Sequence, residues 1–161
     1  MRRAPFAVGL AGALLLAAGF ASAQHHGHPA PEGPAKPAAD TRELVEFPPA
    51  LAEHTLANMR DHLAALQEIN AALARGQNDA AARIVEGRLG MTSLQLHGAH
   101  EVAKFMPQGM RDAGTAMHRA ASRFAIEAQS AGVTGELKPA LGALADVVSA
   151  CVGCHAGYRL K

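Results

Sequence analysis

The chain has no tryptophan and a single tyrosine, Tyr158, and aromatic residues make up only 4% of its 161 positions. Its basic residues form no stripe. Without stacking platforms or a phosphate-tracking surface, nucleic-acid binding finds no support. Cysteine is almost absent too, with Cys151 and Cys154 the only two. A pair three apart closes a very small loop, so a disulfide between them would stabilise little. A structural zinc site needs a fourth ligand and usually a second cysteine pair. Strand signals are also missing, and without a βαβ pattern a thioredoxin-type dithiol has no setting.

What is present begins with "MRRAPFAVGLAGALLLAAGFASA". Arg2 and Arg3 precede an apolar run that ends at the small-x-small site Ala21-Ser22-Ala23, the pattern of a secretory signal cleaved after Ala23. The apolar run is short and interrupted by glycine, which argues against an uncleaved membrane anchor. No cysteine follows it, so a bacterial lipid anchor is not expected either. The expectation is an exported, periplasmic protein without stable membrane insertion. Loss of Arg2 and Arg3 leaves 13 basic against 14 acidic residues, a net charge of −1 with histidines neutral. Residues 24–48 are rich in Pro, Ala and Gly and read as a flexible leader that cannot bury enough apolar surface to order itself. Its "HHGH" (His25, His26, His28) has the composition of a metal-chelating tract, although clustered terminal histidines more often bind metal adventitiously.

From Pro49 to Lys161 the chain is Ala- and Leu-rich and punctuated by Gly and Pro, which predicts helices throughout. A first helix is expected from Pro49 to Arg75, with Leu56, Met59, Leu63, Leu66 and Leu73 inward and Gly76 as its stop. A second starts at Asn78 or Asp79 and runs to Gly90. The stretch from Met91 to Phe105 is helical but broken at Gly98. A third helix opens at Pro107 and ends near Gly132, with Met110, Met117 and Phe124 on one face. The last begins around Thr134, where "TGEL" resembles a capping box. On it Leu137, Leu141, Leu144, Val148, Cys151, His155 and Tyr158 follow alternating steps of four and three, the seam of a packed helix. Short connections between such helices give an all-α, up-down antiparallel four-helix bundle.

The tail reads Cys151-Val-Gly-Cys154-His155. Two thiols at this spacing can form thioethers with the vinyl groups of a haem, and the adjacent histidine then reaches the iron. Covalent haem attachment accords with export. An exported chain with four helices and one "CVGCHAGYR" near its C-terminal end resembles the class II c-type cytochromes, the cytochrome c′ group. The resemblance spans Pro49 to Lys161, the domain following a signal peptide at 1–23 and the leader at 24–48. It implies one haem c near the C-terminal end of the last helix, attached through Cys151 and Cys154, with His155 as proximal iron ligand and Arg159 close to the haem. It also leaves a homodimer open, since members of the group often pair through their first two helices.

The sixth iron position divides that family. In an up-down bundle the start of the first helix lies beside the end of the fourth, which points to "LAEHTLANMRDHL". Met59 lies on the expected inward face and matches the ligand position of six-coordinate members, with His54 and His62 as competitors. His97, His100 and His118 have no positional argument and read as surface or loop residues. The expected function is a monohaem electron carrier, His155 and Met59 on iron, exchanging single electrons with redox partner proteins and catalysing no bond chemistry. The alternative is a gas-binding protein for NO or CO whose distal site stays open.

Overall fold

The computed structural model describes residues 39–161, so the signal-peptide reading and the "HHGH" tract lie outside the described residues. Most of the described chain is helical. Helix α1 spans Pro49–Ala74, with proline in its first turn where a missing N–H costs nothing. Arg75 caps it, and Gly76 takes a left-handed φ of 68° that halts the helix. Helix α2 runs Asn78–Arg88. The stretch that Gly98 was expected to break is a 3₁₀ turn at Met91–Ser93 followed by a short α3, Ala99–Ala103. Helix α4 spans Gln108–Thr134 and stops at Gly135, also left-handed, at φ 77°. Helix α5 spans Lys138–Gly157.

Thr134 therefore closes α4 and does not cap α5. Its hydroxyl donates to the Ser130 carbonyl and accepts from the Glu136 N–H. Helix α5 starts four residues further on, at Lys138, with proline at its second position.

Helix α4 packs on α5 and α2, and α2 in turn packs on α1. One core gathers Ile69, Val85, Leu89, Phe124 and Val147 among rows of alanine from all four of these helices. The inward faces are rotated from the leucine seams expected. On α1 the buried residues are Thr55, His62, Ala65, Ile69, Ala72 and Leu73, whereas Leu56 and Leu63 are 44% and 70% exposed. On α5 they are Ala140, Leu144 and Val147, with Leu141 and Val148 at the surface. Alanine rows let helix backbones approach closely, and the longer leucines are left at the margins. By length and composition α5 could also cross a membrane; here its buried face lies in the core beside α4.

Two short strands were not expected. Strand β1, Glu43–Val45, pairs in parallel with β2, Tyr158–Leu160, matching Glu43 to Tyr158 and Val45 to Leu160. The last residues of the expected leader thus belong to the helical body. Val45 is buried, Phe47 meets Phe105 edge-on at 6.4 Å, and Lys161 Nζ lies 3.2 Å from Glu46 Oε1.

A half-buried clasp joins α1 to α2. Arg88 grips the Asp61 carboxylate through Nε and Nη2, and its Nη1 donates to Glu68 Oε1 at 2.8 Å. Because both carboxylates are partly solvated, Arg88→Ala should cost about 1 kcal/mol, read as a lower urea midpoint with an unchanged m-value.

Candidate functional site

The last turns of α5 carry Cys151, Cys154 and His155, and β2 carries Arg159. These four side chains and Met59 of α1 line a single cavity of ≈ 450 Å³. That volume falls within the range of cofactor pockets. All five residues singled out from the sequence therefore meet in one place. Chain direction brings them together: α5 ends where α1 begins, so Thr55 and Met59 line the same cavity as Cys151.

Both cysteines are free thiols, partly buried. Burial pushes each thiol pKa above its ordinary value, and the neighbouring Cys151 pushes Cys154 further the same way. At neutral pH both stay protonated, the opposite of the thiolate that a redox dithiol needs. His155 stands one residue further on at the same cavity.

The segment before β1 crosses the end of α5. Arg42 Nη1 donates to the His155 carbonyl at 3.4 Å, satisfying one of the acceptors that a helix end leaves open. Asp40 sits between Arg42 and Arg159, at 2.7 and 3.4 Å. Arg42 chiefly holds the Asp40 carboxyl well below the usual carboxylate range. Arg159 Nε is buried beside the cavity and pairs with Asp40 Oδ2 at 3.4 Å, an ion pair without hydrogen-bond geometry. Of the other arginines, Arg88 is committed to Asp61 and Glu68, and Arg60 is exposed.

The part of the site that sequence reading missed is the gathering of His97 and His118 beside His62. His62, His97 and His118 are 8%, 7% and 8% exposed and line the same cavity. Two of them were expected at the surface. Their ring centres lie 4.6 Å (His62 to His97), 5.6 Å (His97 to His118) and 6.3 Å (His62 to His118) apart. They come from α1, from the loop before α3, and from α4. His118 has one signal in the sequence: it directly follows Met117 on the inward face of α4. His54 bonds through Nε2 to the His97 carbonyl at 3.1 Å, and His100 is exposed.

Burial, then the neighbouring His97 and His118, pushes the His62 pKa down to about 4. Burial likewise lowers His97 and His118, against a small opposing pull of Asp61 on His97 and of the Leu89 and Gly90 backbone on His118. In the unfolded chain His62 titrates near 6.5. Between that value and 4 the unfolded chain binds a proton that the folded chain refuses, so stability falls as pH drops through this window. The full shift corresponds to about 3 kcal/mol from His62. Urea titrations in chelator-containing buffer should show a clearly lower midpoint at pH 5 than at pH 7.5, and His62→Gln should flatten that slope. Asp61, held down chiefly by Arg88, acts in the same direction only at lower pH.

Comparison of the chain with protein-family models, with curated proteins and with solved structures finds no match. Among the described residues, no group of three or more His, Cys, Asp or Glu side chains stands ready to enclose a metal ion as placed.

Proposed function

We propose that the protein is a periplasmic monohaem c-type cytochrome that carries single electrons, built as a four-helix bundle in the manner of cytochrome c′. The observation that carries this reading is the convergence of Cys151, Cys154 and His155 from α5 with Met59 from α1 on one cavity. The donor set fits a haem. Two protonated thiols would hold it as thioethers, an imidazole and a thioether flank the space between the helices, and Met106, Met110 and Val102 give apolar walls. When bound, the haem supplies an iron that cycles between ferric and ferrous.

The chain's own residues do the rest. Cys151 and Cys154 fix the group's position so that it is not lost on reduction. His155, whose carbonyl accepts from Arg42, would offer a ring nitrogen to the iron. Met59 on the same cavity would be the second protein ligand to the iron, and its soft sulfur would favour the reduced state. Arg159, on the wall of the same cavity and paired with Asp40, is the cation that a propionate carboxylate would meet. The outer side of the α5 end, including the 62% exposed Val152, offers a face for redox partner proteins.

The test is a reductive titration of protein matured in a haem-attaching host, followed by absorbance. One electron per chain is expected, with haem that stays on the denatured polypeptide. A chain matured under those conditions that takes up no haem would remove the reading.

A further inference from the structure

The three buried histidines sit deeper in the cavity than the residues assigned to haem. His62 is one turn of α1 beyond Met59, roughly 4.5 Å further from the helix start. Hydrogen-bond accounting fixes how their rings are protonated. His118 Nδ1 lies 2.7 Å from the Leu89 carbonyl, which can only accept, so Nδ1 carries the hydrogen and Nε2 the lone pair. His97 Nδ1 faces Ser93 Oγ at 3.4 Å, and the serine hydroxyl donates to the Gly90 carbonyl at 2.7 Å. Ser93 can then only accept from the ring, so His97 Nε2 is also bare. His62 Nε2 is buried with no partner at all. Three imidazoles thus line one space, and the His62 nitrogen is left unpaired there, which buried polar groups avoid unless something pairs with them.

A backbone carbonyl or hydroxyl holding Nδ1–H, with Nε2 free, is the second-shell pattern of metal-ligating histidine. Metal–imidazole bonds of about 2.0–2.1 Å around one tetrahedral ion hold ring centres roughly 5 Å apart. The observed separations of 4.6, 5.6 and 6.3 Å bracket that value. The nitrogens do not yet converge. Closure requires the rings to turn about their terminal torsions, which are broad wells. No carboxylate joins the cluster, since Asp61 is held by Arg88, so calcium and magnesium are unsuited.

We propose that His62, His97 and His118 form a second metal site, distinct from the haem, that takes a single copper ion. Neutral imidazole suits late first-row ions, and copper heads their affinity order. The soft sulfurs of Met110 and Met117 on the same cavity wall favour it further. The site goes beyond the cytochrome reading and does not depend on it.

The experiment uses the haem-loaded full chain with His25, His26 and His28 replaced by alanine, so that the N-terminal tract cannot contribute. Equilibrium dialysis against Cu(I) under anaerobic conditions, with copper counted by mass spectrometry, should give one equivalent per chain. His97→Gln and His118→Gln, checked for folding by far-UV circular dichroism, should each lower bound copper at fixed free copper by about tenfold or more. Should either variant unfold, the electron paramagnetic resonance spectrum of the otherwise unsubstituted protein with Cu(II) decides: nitrogen hyperfine structure from imidazoles supports the site, and oxygen-only ligation overturns it. Retention of the copper in both folded variants, its loss only on Met59→Leu, or no bound equivalent would each overturn it. Haem content measured on the same sample keeps the two readings apart. Copper without haem removes only the cytochrome, and haem without copper removes only this site.

Discussion

Replacing Cys151 and Cys154 together by alanine leaves no haem on the chain after denaturing electrophoresis, against one per chain in the parent. Both thiols face one cavity and both are held protonated by burial, so each is available for a thioether bond and neither is poised for disulfide exchange. Either single variant keeps one attachment point and should retain covalent haem at reduced yield. The fold itself should survive. Cys151 packs against the core only from its margin, and truncating a partly buried sulfur costs about 1 kcal/mol. Haem staining and urea denaturation on the same preparations check both halves of this prediction. Full staining of the double variant would mean that the cysteines do not carry the group.

Phe124→Ala should cost about 3–5 kcal/mol, a large share of the stability of a domain this size. Phe124 is fully buried and is the largest such side chain among the described residues. Its surroundings cannot collapse into the space it leaves. Ala65, Ala81, Ala121, Ala128 and Ala140 are already in close contact across the helix interfaces and have no atoms to move inward. A chemical melt measures the loss, and the m-value should hold if the variant still unfolds in one step. A change below about 1 kcal/mol would show that the core is looser than its packing implies.

Much of the helical layout was legible because its punctuation is local. Pro49, Gly76, Pro107 and the run up to Gly132 place α1 and α4 to within a few residues. The facing of α1 and α5 was not legible. In a helix where alanine and leucine both recur at steps of three and four, two stripes satisfy the same periodicity. Hydropathy favours the leucines, but close approach of neighbouring helices selected the alanines. Leu63 shows the difference most plainly, being an expected seam residue that is mostly in water. The two strands escaped for another reason: each has three residues, and their partners are 115 positions apart in sequence, as with Glu43 and Tyr158. No local pattern encodes such a pairing.

The site divides in the same way. Cys151, Cys154 and His155 are contiguous, so their chemistry can be read from five letters. Met59 needed one topological step, that the first helix starts where the last one ends. The histidine cluster needed tertiary structure, because His62, His97 and His118 come from separate elements, and their local neighbours, such as Met117 beside His118, do not join them. His97 was the hardest, lying in an irregular loop whose course is set by Gly90 and Gly98 and not by any periodicity.

The central claim is that iron in this protein is held from both sides by its own chain, by His155 and Met59. Absorption spectra of the oxidised and reduced haem-loaded protein, with and without CO, test it most directly. The account predicts a low-spin spectrum with the far-red band of methionine on ferric iron, unchanged by CO and lost in Met59→Ala. A high-spin spectrum that shifts on adding CO would contradict it and make the protein a gas binder with an open distal site.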